Sequence, residues 1–367
     1  MKKNNIITFG ICYLLFWGCV GYVLGGEKPI LNEKIVSEKL IGQWVMVTSP
    51  IPKKPAIIKF GIGGRGAFDG QTEIEWTLSG GRVNMLILQQ KQSISGLYEL
   101  VGDKFTIIYD DNNRSIFIRK EKVDEYRIKQ AKRNKKAIKQ LLSQYFVPVD
   151  GGFYTMGCTI EQKGLCDADE SPAHRVSLRS YFIGKTEVTQ ELWKLVMNNN
   201  PSHYKGDNLP VESFSWLEAH IFISTLNAAV GAKYRLPTEA EWEFAARGGN
   251  KSGKYRFSGS DALEKVGWFG RNSGGKTHPV GILESNELGI YDMSGNVWEW
   301  VNDWYGDYGS NEETCPIGQK FGCGRVIRGG SWNNNGGTCR TSNREMLLPQ
   351  NGFSDLGFRL VSSRVEW

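Results

Sequence analysis

The run from Asp292 to Glu299 sets acidic side chains around a Gly turn with carbonyls to spare, the hard oxygen donors that Ca²⁺ prefers. Thiols are the second candidate chemistry. Five cysteines follow the N-terminal apolar stretch. Cys158 and Cys166, and again Cys315 and Cys323, stand eight residues apart in polar, Gly-containing loops. Such spacing suits local disulfides in an oxidising compartment and leaves Cys339 as the one free thiol; the alternative is that all five are reduced. Other chemistries fall away. His174, His203, His220 and His278 are scattered with no His-Glu-x-x-His spacing, so zinc hydrolysis has no ligand set. No Gly-x-Ser-x-Gly motif occurs, and the Gly-rich loops after Arg247 and Asn272 lack a Walker lysine.

These residues need a scaffold. With 44 Gly and 12 Trp in 367 residues, the composition predicts long ordered loops pinned by aromatic anchors. The net charge of +6 comes from one place: Arg119 to Lys139 carries ten Lys/Arg against three Asp/Glu. A single charged segment, and no basic face, argues against a nucleic-acid partner. Lys2 and Lys3 precede an apolar stretch from Ile6 to Leu24, which reads as an export signal over residues 1–26. Cleavage after Gly25, lipidation at Cys19 and an uncleaved signal anchor all remain open. The expected location is periplasmic, cell-surface or secreted, with membrane contact only through that anchor or lipid.

Residues 27–120 alternate apolar and polar positions between turn clusters, as in Ala56–Phe60, Val83–Leu88 and Lys104–Tyr109, and predict a small antiparallel barrel or sandwich. Gly42-Gln43-Trp44 resembles the start of lipocalin-like barrels. Residues 121–145 read as a charged helical linker with a thin stripe of Ile128, Ala131, Ala137 and Ile138. Beyond it, Thr189, Ser215 and Thr238 are predicted helix caps, the last two with Glu218 and Glu241 at capping-box spacing. Arg235 and Glu243, charges beside aromatic residues, are expected to be structural ion-pair members.

Residues 146–364 resemble the formylglycine-generating-enzyme, or sulfatase-modifying-factor, family. The resemblance rests on Gly151–Gly157, Asp169–Val176, Gly184–Thr189, Tyr234–Glu243, Tyr291–Trp300, Arg328–Trp332 and Gly357-Phe358-Arg359, in that order. It implies an α+β, C-type-lectin-like fold with little regular structure. It also implies a calcium site from the side chains of Asp292 and Glu299 and the carbonyls of Gly295 and Val297, while Trp268–Lys276 lacks the acids of a second one. Active members oxidise a substrate cysteine to formylglycine with O₂ at Cu(I) held by two thiolates. The matching positions here are Cys339 and Asn334, with Ser331 at the serine that lines the site. One sulfur has become an amide. Two functions follow: a non-catalytic or altered-chemistry member that binds a protein or glycan ligand, or an oxidoreductase acting on a Cys-containing peptide.

Overall fold

The computed structural model describes residues 40, 42–48, 57–60, 65–68, 72–79, 82–87, 92–101, 104–108, 114–162 and 164–364. The export segment and Cys19 lie outside them. Contacts divide the chain into two units, Met1–Arg127 and Ile128–Trp367.

The first unit is a closed barrel and not a sandwich. Its strands are β1 Gly42–Thr48, β2 Ile57–Phe60, β3 Arg65–Phe68, β4 Thr72–Ser79, β5 Arg82–Ile87, β6 Gln92–Val101, β7 Lys104–Ile108 and β8 Arg114–Arg119. Each pairs antiparallel with the next, and β8 returns to β1. Period-two patterning decides which side chains enter: Ile58 and Phe60, Val83 and Met85, Phe105 and Ile107 are all buried. Phe105 makes ring contacts with Trp44, Phe60 and Phe117 at centroid distances of 6.0, 5.7 and 6.0 Å. Closure removes the exposed edges that an open sheet of this size would carry.

The second unit is α+β. Helices α1 Val123–Arg133 and α2 Lys135–Leu142 lead into it, and the boundary between units falls inside α1. The charged segment read from the sequence as a linker is helical, and part of its thin apolar stripe is core. Ala131, Ile138 and Leu142 are buried in the core of the second unit with Leu192, Trp193 and Phe222, while Ala137 is exposed. Residues spaced by four or seven share one helix face, and Ala137 does not lie on it.

Strands β9 Phe146–Val149, β10 Gly152–Met156, β11 His174–Leu178 and β12 Tyr181–Gly184 precede helices α3 Gln190–Met197, α4 Trp216–Val230 and α5 Glu239–Ala246. After the short α6 Leu263–Val266 come β13 Trp298–Trp304, β14 Glu313–Thr314, β15 Arg325–Arg328, β16 Arg344–Leu347, β17 Leu356–Gly357 and β18 Val361–Ser362. They form three small sheets: β10-β11-β14, β18-β12-β9 and β16-β15-β13-β17. The three helices start at the expected caps. Thr189 accepts from Leu192 N, and Ser215 and Thr238 each close a capping box with the predicted glutamate.

Ion pairs run through this core, most of them buried. Arg235 grips Glu241 through two bonds of 2.6 and 2.7 Å, and not Glu243. Glu243 instead meets Arg328 and Arg247. Arg344 is forked onto Glu239 and Arg340 onto Glu170, all four buried. Each guanidinium–carboxylate fork satisfies charges that would be very costly alone in a dry core.

Of the two expected disulfides, Cys158–Cys166 forms, with an S–S distance of 2.01 Å. Cys315 and Cys323 are free. Cys315 is tied to β11 by its N–H donating to Ser177 O, whereas Cys323 is exposed beside Gly324, whose carbonyl accepts from Tyr305.

Candidate functional site

Strand β15 delivers Arg328 to the core and then turns sharply at Gly329 and Gly330, with φ of 97° and 70°. A Cβ at Gly330 would stand 2.7 Å from Cys339 Sγ, so only glycine permits this approach. Ser331 follows, and a single turn over Gly336–Cys339 brings the cysteine back beneath the loop.

Cys339 is wholly buried in a small apolar cluster with Phe257, Leu263, Val266 and Phe269. Its Sγ lies 3.8 Å from Asn335 O, and the Thr338 side chain and the Ser331 backbone also hydrogen-bond to it. Burial in these surroundings pushes the thiol up to about 12. Asn334 faces Ser331: the Ser331 hydroxyl lies 2.6 Å from Asn334 Oδ1 and 2.9 Å from Asp355 Oδ2. That hydroxyl has one proton, so it serves one of the two oxygens at a time. Burial raises the Asp355 carboxyl, against the opposing effect of the Ser331 hydroxyl. The Asn334 backbone is also fixed, its N–H to Ser331 O at 3.1 Å and its carbonyl to Gly270 N at 2.8 Å. Trp332 walls the loop, with Tyr204 packed edge-on at 5.6 Å.

The loop thus brings Ser331 and Asn334 into direct contact and sends Cys339 into the apolar cluster. Asp355 was missed by sequence reasoning. It lies 24 residues after Ser331, and the only local signal was the Gly357-Phe358-Arg359 block two residues further on.

The acidic run divides as well. Glu299 is held by Arg359 through bonds of 2.6 and 2.7 Å and also accepts from Trp242 Nε1 at 2.9 Å. Asp292, at φ 58°, accepts from Gly281 N at 2.7 Å through Oδ2, while its buried Oδ1 has no donor. Its neighbour is a second carboxylate that the sequence did not flag. Glu187 is fully buried, accepts from Asn296 Nδ2 at 3.0 Å, and leaves Oε2 without a donor. Burial raises both carboxyls, Asp292 to about 6, and Glu187 is raised further by Asp292 itself. Gly295, at φ 99°, sits where a Cβ would be 2.3 Å from Trp268 O. Among the described residues no group of three His, Cys, Asp or Glu side chains converges on one point.

A core of α+β sheets with long loops, carrying a Gly-Gly-Ser-Trp turn opposite an aromatic and acidic wall, defines a distinct class of domain. The pattern of the sulfatase-modifying factor enzyme 1-like domain matches residues 130–364, and the chain belongs to that family. A protein described as chaperone protein LppX from Paenibacillus barcinonensis is 34% identical over 239 residues, which is 52% of this chain and 82% of that one. The formylglycine-generating enzyme of Streptomyces coelicolor is 36% identical over 174 residues, 42% of this chain and 53% of its own length. Among solved structures, Treponema denticola variable protein 1 superposes with a TM-score of 0.55 at 33% identity, covering 60% of this chain and 95% of its own.

Proposed function

We propose that the second unit is a binding module built on the sulfatase-modifying-factor scaffold, for a protein or glycan ligand, and not a copper oxidase. One observation carries the reading: Cys339 is fully buried, in one apolar cluster with Phe257, Leu263, Val266 and Phe269. The thiolate is the metal ligand and nucleophile. Burial favours the neutral thiol over the thiolate here. The partner position is Asn334, whose amide oxygen is a hard, weak donor for Cu(I), and which is already engaged by Ser331.

The test is a Cu(I) titration of the folded chain, followed by aerobic incubation with a Cys-x-Pro-x-Arg peptide and mass spectrometry. The expected result is no stoichiometric copper that depends on Cys339, an unchanged peptide mass, and Cys339 alkylated only after denaturation. Copper lost in Cys339→Ala, together with formylglycine in the peptide, would establish the oxidase instead.

Calcium belongs to the same reading. Its holders would be Asp292 and the carbonyls of Gly295 and Val297. The donor-free oxygens of Asp292 and Glu187 fit a hard cation, whereas Glu299 already carries Arg359 and Trp242. Export is supported by the N-terminal lysines and apolar stretch and by a disulfide suited to an oxidising compartment; the mass of the mature N-terminus reads it directly.

A further inference from the structure

A row of unpaired charge lies along helices α1 and α2. Between Tyr126 and Val149 the sequence holds no acidic residue. Over Ile128–Leu142 it holds six cations: Lys129, Lys132, Arg133, Lys135, Lys136 and Lys139. All six are exposed. Lys122 and Arg127, just before them, pair with Glu125 and Asp124. The six make no ion pair among the described residues. Arg133 donates to the amide oxygen of Gln130, a neutral partner, at 3.2 Å.

Helix geometry gathers them. Asn134 joins the two helices through a near-helical turn, with φ −90° and ψ 4°, and its carbonyl accepts from Ile138 N at 3.0 Å. The apolar stripe of Ala131, Ile138 and Leu142 takes the inner side. Lys129, Lys132, Arg133 and Lys136 follow the i, i+3, i+4, i+7 spacing of a single face, and they hold the outer side. Lys139 extends the row to a length of about 15 Å, from a rise of about 1.5 Å per residue. Lys129 with Arg133, Lys132 with Lys136, and Lys135 with Lys139 are like-charge pairs four residues apart, which destabilise a helix. No ion pair within the described residues relieves that repulsion; negative charge brought from outside would. The chemistry of the row selects among polyanions. Four of its five members from Lys129 to Lys139 are lysines, point charges on flexible stems that suit a fluid layer of headgroups. A nucleic-acid site draws on arginine forks and stacking aromatic rings, and protein interfaces are depleted of lysine. Clusters of roughly four to eight basic residues on an amphipathic helix are a feature of contact with anionic lipid. The apolar side of this helix pair is buried in the core, so the contact is electrostatic and does not insert.

We propose that the row of Lys129, Lys132, Arg133, Lys136 and Lys139 holds the second unit against an anionic phospholipid surface. This contact is separate from the apolar stretch Ile6 to Leu24 and goes beyond the thiol and calcium chemistry of the proposed function. Its test involves neither copper nor calcium.

The experiment sediments the full chain with vesicles of neutral phosphatidylcholine, alone or mixed with anionic phosphatidylglycerol. The chain should partition onto the anionic vesicles about ten-fold more strongly or better. That preference should vanish in about 1 M salt, where the Debye length is near 3 Å. Lys132→Gln together with Lys136→Gln should weaken anionic binding by about five-fold for each charge removed. Removing like-charge neighbours should leave the melting temperature unlowered. Lys132→Arg with Lys136→Arg should bind like the parent. A control, Lys276→Gln with Lys320→Gln, removes the same net charge from exposed positions elsewhere, and should change binding by less than about two-fold. Whatever residues 6–24 add is common to all these chains, so comparing them isolates the row. Equal partition onto neutral and anionic vesicles, an equal loss in both glutamine pairs, or an undiminished anionic preference without Lys132 and Lys136 would each overturn the proposal. So would tight binding of an RNA duplex or of polyglutamate that depends on those two lysines, with no preference for anionic vesicles, because the row would then belong to another polyanion.

Discussion

Two buried carboxyl oxygens, Glu187 Oε2 and Asp292 Oδ1, have no donor from the rest of the protein; the Asp292 charge raises Glu187, while a hydrogen bond from Glu187 favours the ionised Asp292. Two like charges in a dry site are tolerated by holding a proton or by holding a cation. The Gly281 N–H fixes one oxygen of Asp292, and Asn296 fixes one of Glu187, so the remaining pair is oriented and not free to turn to solvent. If calcium fills this gap, a concentration 100-fold above its dissociation constant adds about 2.7 kcal/mol to folding. In a unit of this size that is a rise in melting temperature of roughly 5–10 °C over the same sample in EDTA. Asp292→Asn should abolish the rise, with differential scanning fluorimetry as the readout. An equal rise in both chains would place the effect elsewhere; no rise in the parent would leave the pair sharing a proton.

Helix α5 shows how one element gathers distant parts. Its cap, Thr238, accepts from Glu241 N at 3.2 Å, and the Glu241 carboxylate accepts from Thr238 N at 2.9 Å and from Arg235. Thr238→Ala should therefore cost about 1 kcal/mol, and Thr238→Ser should recover most of it, both read from urea midpoints. A loss near zero would mean that the Glu241–Arg235 fork alone sets the start of the helix. The cap was legible in the sequence because its chemistry spans three residues. The same holds for Thr189 and Ser215, and for the barrel strands, whose alternation is local. Partners across the chain were not legible. Arg235 and Glu243 read as charges near aromatic residues, yet Glu243 pairs with Arg328, 85 residues away, and nothing in the spacing announces that. The site divides in the same way. The Ser331, Asn334 and Cys339 positions could be counted along one loop, but the turn at Gly330 that hides the thiol, and Asp355 arriving from another segment, are products of tertiary packing. Glu187 lies 105 residues before Asp292 in the chain and was invisible for the same reason.

At the scale of the molecule, the chain is two units whose division falls after Arg127, while the family pattern starts at residue 130. Both place the stripe of Ala131, Ile138 and Leu142 with the second unit. Ile138 and Leu142 are 0% and 4% exposed within a core that includes Trp193, Phe214 and Phe358. Asn134, between the two helices, donates its side-chain N–H to Leu195 O at 2.8 Å. Burying each of the two larger side chains contributes about 1.5–3 kcal/mol. A fragment of residues 128–364 should therefore unfold cooperatively in urea, and one of residues 146–364 should be weaker by roughly 3–5 kcal/mol or fail to fold. That loss is a large part of what a domain of this size holds in reserve. Coincident midpoints for the two fragments would show that the charged helices only cover the core. A difference of the expected size would show that the segment whose composition sets the protein's net charge is also part of the second unit's interior, with its basic residues outward and its apolar stripe closing the sheet-and-helix core.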